Sequence, residues 1–263
     1  MYAFELHHAK SVADASALLA KTGGKALAGG QSLVAAMKLR LAQPGHVVDL
    51  SGIAELKGIR KEGDHVVVGA MTRHAEVASS DVARGAIPAL AALAECIGDR
   101  QVRNMGTLGG SLANNDPAAD WPAAVLGLGA TVVTSKRRIA ADEFFKGMFE
   151  TALEEGELVT SVSFPVPKKA AYAKFPNPAS RFALVGVFVA QVGSGVRVAV
   201  TGAGSSVFRC KPLEDALAKS WSAAAAKAVK VDASTLNSDL HGSAAYRAHL
   251  VAVMASRAVE AAR

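Results

Sequence analysis

Two glycine-containing segments carry the residues with the clearest chemical potential: AGGQSL at 28–33 and TLGGSLANNDPAAD at 107–120. In the first, a glycine pair follows a strand-like stretch and precedes a helix-like one. Glycine lets the backbone approach an anion closely, and free N–H groups at a helix start attract negative charge. Such a junction is either a plain turn or a diphosphate-binding loop. Its candidate contacts are Ala28, Gly29, Gly30, Gln31, Ser32 and Leu33.

The second segment offers another set of hydrogen-bond donors. Its glycine, asparagine and proline content disfavours both a helix interior and a strand, so the sequence predicts a loop. Consecutive backbone N–H groups in such a loop can form an anion-binding nest. The candidate donors are Thr107, Gly109, Gly110 and Ser111.

Two acidic residues complete the second segment. Asp116 precedes a proline, which is ordinary turn chemistry. Asp120 stands just ahead of an apolar stretch that begins Trp-Pro, where its carboxylate either caps a helix or accepts hydrogen bonds from ribose hydroxyls. Two glycine loops and an aspartate together predict a ligand that contains a diphosphate and suggest one dinucleotide held from both sides.

Periodicity and turn residues predict the elements that position the first loop. A helix is predicted from Ser11 to Lys21, capped by Ser11 and ended by the glycines at 23–24. The other predicted elements are a strand leading into the first glycine pair, a helix over 32–42 ended by the Pro-Gly pair at 44–45, and a strand at 46–50.

The remainder of the chain divides into two further parts. The predicted elements are a hairpin at 59–70, two helices within 73–97, a helix from Trp121, strands at 130–135 and 157–167, and a short helix at 141–145. Four prolines at 164–178 mark a boundary, followed by β-alternation at 183–204 and alanine-rich helices. The predicted domains are therefore 1–57, 58–167 and 168–263.

Composition excludes several classes of protein. The 263 residues carry a net charge of +6, but the sparse aromatic residues and the lack of a dense Lys/Arg run argue against nucleic acid as the partner. Only two cysteines occur, Cys96 and Cys210, with no CxxC spacing. Histidines 7 and 8 alternate across a strand, so no metal site is predicted. No apolar run is long enough for a membrane span, and no signal peptide is evident, which together predict a cytoplasmic protein.

The two glycine segments, with their flanks at 28–53 and 103–124, resemble the paired flavin motifs of one family. That family is the FAD-binding medium subunit of molybdenum hydroxylases, the group of xanthine dehydrogenase and aerobic carbon monoxide dehydrogenase. The resemblance continues through 136–165, 174–187 and 240–258, so it covers nearly the whole chain.

The resemblance implies an α+β fold in which two α/β subdomains clasp a non-covalent FAD, followed by a smaller C-terminal α+β domain. It implies that residues 28–33 and 107–111 form the two pyrophosphate loops and that Asp120 binds FAD through its side chain. It also places Leu158 and Val159 on the segment that passes the isoalloxazine ring, and Lys174 and Arg181 on the next segment. Gln31 stands where many relatives carry histidine.

The resemblance also implies partners. The substrate would be oxidised at a molybdenum–pterin centre on a large subunit, and electrons would pass through [2Fe–2S] clusters on a small subunit to the FAD. This chain would then release them to an external acceptor such as oxygen, a quinone or a nicotinamide nucleotide. The family implies a dimer of heterotrimers. No side chain of this chain is required as an acid or base, so no catalytic residue is predicted.

Two alternatives belong to other functional classes. One is a stand-alone flavin-dependent oxidase of the same broad FAD fold, which would need a substrate pocket with a base above the flavin. The other is a non-enzymatic module that binds a different nucleotide diphosphate. A flavin spectrum, together with activity in the absence of partner subunits, distinguishes the three.

Overall fold

The N-terminal part of the chain forms a small parallel sheet. The computed structural model describes residues 1–193 and 195–263. The sheet has the strand order β1-β3-β2, with both neighbouring pairs parallel. Parallel strands need crossover connections, and two helices supply them here. The elements are β1 (Glu5–His8), α1 (Val12–Thr22), β2 (Lys25–Leu27), α2 (Leu33–Lys38) and β3 (His46–Asp49).

The two crossover helices differ in how well the sequence predicts them. The predicted ends of α1 are confirmed: the Ser11 side chain accepts from the N–H of Asp14, and Gly23 follows in the left-handed region at φ +63°. Helix α2 is shorter than predicted, because Arg40 turns left-handed at φ +61° and the chain leaves the helix. Leu39 and Leu41 are 70% and 79% exposed. They therefore have no core to hold that stretch helical.

The middle of the chain builds an antiparallel sheet of five strands in the order β4-β5-β10-β6-β7. The predicted hairpin is confirmed, with Gly63 at φ +59° in its turn. A two-stranded hairpin, β8 and β9, stands apart from this sheet. The strands are β4 (Ile59–Glu62), β5 (His65–Gly69), β6 (Thr131–Thr134), β7 (Arg138–Ala140), β8 (Phe145–Gly147), β9 (Glu150–Thr151) and β10 (Val159–Pro165).

Seven helices accompany these strands within the described residues. Three helices occupy 73–97 instead of the predicted two, because the Ser80 side chain accepts from the N–H of Ala83 and starts a new helix there. Every residue of the helix from Trp121 is buried, so it lies at the centre of the molecule. The helices are α3 (His74–Ser79), α4 (Asp81–Ala86), α5 (Pro88–Glu95), α6 (Arg100–Met105), α7 (Leu108–Asn114), α8 (Trp121–Leu128) and α9 (Ala141–Phe144).

The prediction of a loop at 107–120 is wrong for its first half, which forms α7. Thr107 caps this helix by accepting from the N–H of Gly110 at 3.2 Å. A Cβ at Gly109 would lie 2.5 Å from Cβ of Ala70, so the helix rests directly on the end of β5. Leu108 and Leu112 are fully buried. Capping and packing thus outweigh the poor helix propensity of the glycine pair.

The C-terminal part forms a four-stranded antiparallel sheet whose long central strand is buried on both faces. Phe188 packs into the core around α8, whereas Val187 faces a second core shared with the last helix. The elements are β11 (Lys169–Pro176), β12 (Ala183–Val192), β13 (Gly195–Thr201), β14 (Phe208–Arg209), α10 (Lys211–Lys219), α11 (Ala223–Lys227) and α12 (Ala244–Ala261). In the part of the chain described, no helix combines the length and apolar character that a membrane crossing requires.

Candidate functional site

The first glycine loop connects β2 to α2 and presents a row of free backbone donors. Gly30 adopts φ +71°, which turns the chain away from the strand. Within the described ranges, no protein acceptor takes the N–H groups of Gly29, Gly30, Gln31 or Ser32. The Ser32 side chain makes no capping hydrogen bond and is exposed, so its hydroxyl is also available. Such a set of neighbouring free amide donors suits a phosphate or diphosphate.

The second loop differs from the nest of free donors that its composition suggested. The N–H of Leu108 donates to the carbonyl of Thr72 at 3.1 Å, and the N–H of Gly109 donates to the carbonyl of Ala70 at 2.8 Å. The N–H of Ser111 donates to the carbonyl of Thr107 within α7. These bonds fasten the start of α7 to the end of β5. The backbone N–H groups of this segment are therefore largely used within the protein. The Ser111 hydroxyl, in contrast, has no hydrogen-bond partner among the described residues.

The two glycine loops are in direct contact. A Cβ at Gly29 would collide with the carbonyl oxygen of Met105 and would lie 2.7 Å from Cα of Gly106. A Cβ at Gly110 would lie 3.3 Å from Cβ of Ala28. Glycine is therefore required at 29 by the close approach of a neighbouring backbone. The structure brings together the two segments that the sequence predicts to hold one ligand.

A buried histidine supports the second loop from behind. Trp121 Nε1 donates to His74 Nδ1 at 3.0 Å, and the N–H of His74 donates to the carbonyl of Gly106 at 3.0 Å. Because an indole nitrogen only donates, Nδ1 must be the acceptor and the neutral ring carries its proton on Nε2. Burial, with a smaller contribution from Arg103, lowers the pKa of His74 to about 4. At neutral pH this histidine is therefore an uncharged support.

Asp120 connects the middle of the chain to the C-terminal sheet. The Tyr172 hydroxyl donates to its Oδ1 at 2.6 Å, and Lys174 Nζ donates to its Oδ2 at 3.0 Å. Lys174 also donates to the carbonyl of Cys96 at 3.2 Å. Asp120 makes no side-chain cap on α8. Burial raises the pKa of Asp120, while the Lys174 ammonium and the Tyr172 hydroxyl oppose that rise.

The remaining predicted site residues lie in different surroundings. Leu158 and Val159 are each 6% exposed and belong to two separate apolar clusters. Asp116 Oδ1 accepts from the N–H of Ala118 at 2.9 Å in a local turn. Arg181, at φ +62°, points its guanidinium towards the carbonyl of Gly98, 3.5 Å away. Neither of these two bonds reaches residues 28–33 or 107–111.

Sequence reasoning missed His74 and Tyr172. Both act through partners far along the chain: 47 residues separate His74 from Trp121, and 52 separate Tyr172 from Asp120. No local motif marks such pairs. The spacing of Tyr172 and Lys174 on one strand is the available signal, because residues two apart share a face.

The residues present fit a dinucleotide cofactor. The four free amide groups of the first loop form a donor set for a diphosphate. The second loop lies directly beside this donor set, because Gly29 packs against Gly106 and Gly110 packs against Ala28. Gly29 and Gly30 have no side chains, and Ser32 is exposed. The exposed Gln31 side chain folds back so that its Nε2 donates to the carbonyl of Gly29 at 3.3 Å.

Comparison with known proteins agrees with this geometry. Residues 2–167 match the family described as the FAD binding domain in molybdopterin dehydrogenase, and residues 170–262 match the CO dehydrogenase flavoprotein C-terminal domain. The carbon monoxide dehydrogenase medium chain of Afipia carboxidovorans is 38% identical, covering 99% of this chain and 96% of its own length. The nicotine 6-hydroxylase medium subunit of Paenarthrobacter nicotinovorans is 37% identical, covering 95% of this chain and 93% of its own length.

Solved structures show the same relationship. Carbon monoxide dehydrogenase from Hydrogenophaga pseudoflava superimposes with a TM-score of 0.90 at 37% identity, covering 99% of this chain and 97% of that chain. Quinoline 2-oxidoreductase from Pseudomonas putida 86 superimposes with a TM-score of 0.88 at 28% identity, covering 99% of this chain and 96% of that chain.

The chain belongs to the family of FAD-binding medium subunits of molybdenum hydroxylases. Within it, the matches extend along almost the full length of the carbon monoxide dehydrogenase medium chains. The predicted family, the mixed α+β class and the role as a subunit of a molybdenum-containing dehydrogenase are confirmed.

Proposed function

We propose that this medium subunit holds one FAD non-covalently, with the FAD diphosphate on the backbone of residues 28–33. The observation that carries the proposal is the row of four unpaired amide groups in the first loop, placed directly against the second glycine loop. Amide donors at a strand–helix junction bind phosphate oxygens without the desolvation cost of a fixed positive charge.

Each loop has its own task in this proposal. In the first, Gly29, Gly30, Gln31 and Ser32 donate to the diphosphate, and Ala28 and Leu33 place the two ends of the loop. In the second, the Ser111 hydroxyl is the polar contact. Thr107, Gly109 and Gly110 shape the segment by capping α7 and permitting its close approach to Ala28 and Ala70.

The more distant residues have supporting roles. Asp120 and Lys174 form a buried ion pair. We propose that the hydrogen-bonding positions that this pair does not use within the protein are taken by the ligand. Leu158 and Val159 supply apolar side chains at the start of β10, and Asp116 holds the turn that leads to Asp120. FAD itself, when bound, supplies the one- and two-electron chemistry, while the protein supplies binding, orientation and exclusion of water.

The chain works with other subunits in this proposal. Its two cysteines are too few to ligate an iron–sulfur cluster, so we assign the [2Fe–2S] clusters to a small partner subunit. We assign the molybdenum–pterin centre to a large partner subunit, as the family resemblance implies. The relatives that it matches are named as medium chains or subunits, which supports an assembly of this kind. In a dimer of heterotrimers of this kind, this chain would hold the FAD that accepts electrons from the clusters and passes them to an external acceptor.

A spectroscopic titration tests the FAD site. The purified full-length chain is mixed with FAD, excess ligand is removed, and the retained oxidised-flavin absorbance is measured. Gly29→Ala should lose retention, because its Cβ would force the first loop away from Met105 and Gly106. Gly45→Ala is the matched control, since a Cβ there meets no atom within 4 Å.

Two outcomes would contradict the proposal. Retention of FAD by Gly29→Ala at the level of the Gly45→Ala control would remove the first loop from the site. Substrate oxidation by the flavin-loaded chain without partner subunits would favour the stand-alone oxidase.

A further inference from the structure

A cluster of two histidines and a glutamate lies on the N-terminal sheet. Glu5 and His7 are two residues apart on β1, so their side chains share a face. Strand β1 pairs in parallel with β3 in a register that places Glu5 opposite His46. His7 and His8 contact different partners, His46 and Asp49, which agrees with their alternation across the strand. The partner of His7 therefore comes from 39 residues further along the chain.

The spacing of the three ligand atoms suits a small divalent cation. His7 Nε2 lies 3.1 Å from His46 Nδ1, and Glu5 Oε2 lies 3.4 Å from His46 Nδ1 and 3.9 Å from His7 Nε2. Nitrogen and oxygen ligands about 2.0–2.1 Å from a tetrahedral zinc ion stand about 3.3 Å apart. The three observed separations lie within about 0.6 Å of that value, and all three atoms lie within 4.8 Å of one another. A bound ion would replace the hydrogen bond that now joins His7 Nε2 to His46 Nδ1.

The surroundings leave the cluster available. The side chains of His7 and His46 are 25% and 35% exposed, whereas that of Glu5 is 73% exposed. Within the described residues no Lys or Arg side chain pairs with the Glu5 carboxylate, whose neighbours are the two histidines. A cation can therefore enter from solvent, and water can fill the fourth position.

We propose that Glu5, His7 and His46 form a site for Zn²⁺, or for a divalent ion with the same preference for imidazole and carboxylate, that joins β1 to β3. Two imidazoles and one carboxylate suit zinc, copper and nickel better than magnesium or calcium. Strand β1 is at the edge of its sheet and pairs with β3 alone among the described strands. A bound ion adds a link across that pairing and stabilises the folded chain.

Calorimetric titration of the untagged full-length chain with zinc chloride tests the site, after treatment with a chelator. The wild-type chain should bind one ion, and His7→Ala and His46→Ala should weaken binding more than about tenfold, the least that loss of an outer-shell partner costs. His8→Ala is the matched control, because this neighbouring histidine contacts Asp49 instead. Zinc should raise the melting temperature of the wild-type and His8→Ala proteins but not that of the other two.

A second variant covers the possibility that a histidine replacement disturbs folding. Glu5→Gln changes the most exposed member of the cluster and should also weaken zinc binding while leaving the far-ultraviolet circular dichroism unchanged. Cobalt chloride should give the intense visible bands of a four-coordinate ion in the wild type and in His8→Ala, but not in Glu5→Gln. Equal zinc affinity in the wild type, His46→Ala and Glu5→Gln, or no binding by the wild type, would overturn the proposal.

Discussion

Lys174 Nζ lies 3.0 Å from the carboxylate of Asp120, and both side chains are 5% exposed. The pair joins β11 of the C-terminal sheet to the residue that precedes the central helix α8. Tyr172, two residues before Lys174, donates to Oδ1 of the same carboxylate at 2.6 Å. The C-terminal sheet is therefore attached to the FAD-binding part by a buried ionic contact as well as by the apolar packing of Phe188.

Replacing Lys174 with methionine should destabilise the protein strongly. Methionine keeps most of the side-chain volume but leaves a buried carboxylate without its cation, which costs about 3–5 kcal/mol. Urea unfolding at neutral pH measures the change. The double variant Asp120→Asn/Lys174→Met should recover part of the loss, because neither charge then remains buried.

An exposed pair provides the comparison for this measurement. Lys136 Nζ lies 3.1 Å from Glu154, but the two side chains are 46% and 55% exposed. Lys136→Met should therefore cost less than about 1 kcal/mol. Equal losses for the two lysine variants would show that burial of the Asp120 pair has little energetic effect.

Two helical glycines should respond to alanine in opposite directions. Alanine favours a helix over glycine by about 1 kcal/mol. In α7, however, a Cβ at Gly109 would lie 2.5 Å from Cβ of Ala70, and overpacking of this kind costs about 1–3 kcal/mol. Gly109→Ala should therefore destabilise the chain, whereas Gly85→Ala in α4 should stabilise it, since nothing lies within 4 Å of a Cβ there. Thermal unfolding of both variants checks the sign; a stabilised Gly109→Ala would contradict the packing of α7 on β5.

Several features of the N-terminal and middle parts of the fold could be predicted from local signals. The Ser11 cap, the left-handed Gly23 and the turn at Gly63 are short-range features, and each appears where the sequence predicts it. The first glycine loop was also predictable, because a strand, a glycine pair and a helix follow one another within a few residues.

The second loop shows why local signals are insufficient. Residues 108–114 have poor helix propensity, yet they fold as α7 because Leu108 and Leu112 enter the core and Gly109 fits against Ala70. That partner surface is provided by β5, some forty residues away, and is invisible to a propensity argument. The same limit applies to the His74–Trp121 pair and to the Tyr172–Asp120 pair, which support the candidate site.

His74 should make stability depend on pH in the mildly acidic range. Its pKa is about 4 in the folded state against about 6.5 when unfolded, so between these values the unfolded chain binds the proton first. Stability is therefore complete above about pH 6.5 and falls as the pH drops towards 4, by up to about 3 kcal/mol. Urea unfolding across this range measures the slope.

His74→Gln isolates that contribution. Glutamine does not titrate and retains an oxygen that can accept from Trp121 Nε1. The raised pKa of Asp120 acts in the opposite direction. A carboxyl group with a raised pKa takes up its proton more readily in the folded state, so the folded protein gains stability from it as the pH falls. This effect is common to both proteins and cancels in the comparison. Parallel curves for the wild type and His74→Gln would show that His74 is not buried in its neutral form.

Glu157 should account for a separate loss of stability in stronger acid. Its side chain is fully shielded from solvent and accepts from Thr134 Oγ1 at 2.6 Å, from the N–H of Glu154 at 2.8 Å and from Arg137 Nε at 3.1 Å. These donors, foremost Arg137, outweigh burial and lower the pKa of Glu157 to about 2. Because the unfolded carboxyl takes up its proton at about pH 4.5, the stabilisation is complete above that pH and is lost as the pH falls towards 2.

Glu157→Gln should therefore be destabilised at neutral pH by about 1.5–3 kcal/mol, the range for hydrogen bonds to a charged group. The difference from the wild type should shrink as the pH falls below about 4.5, because the wild-type carboxyl is then losing its advantage. Glu154→Gln, which changes a carboxylate that is 55% exposed, should have a small effect at every pH. If the difference in the free energy of unfolding between wild type and Glu157→Gln stays constant as the pH falls, the negative charge of Glu157 does not contribute to stability.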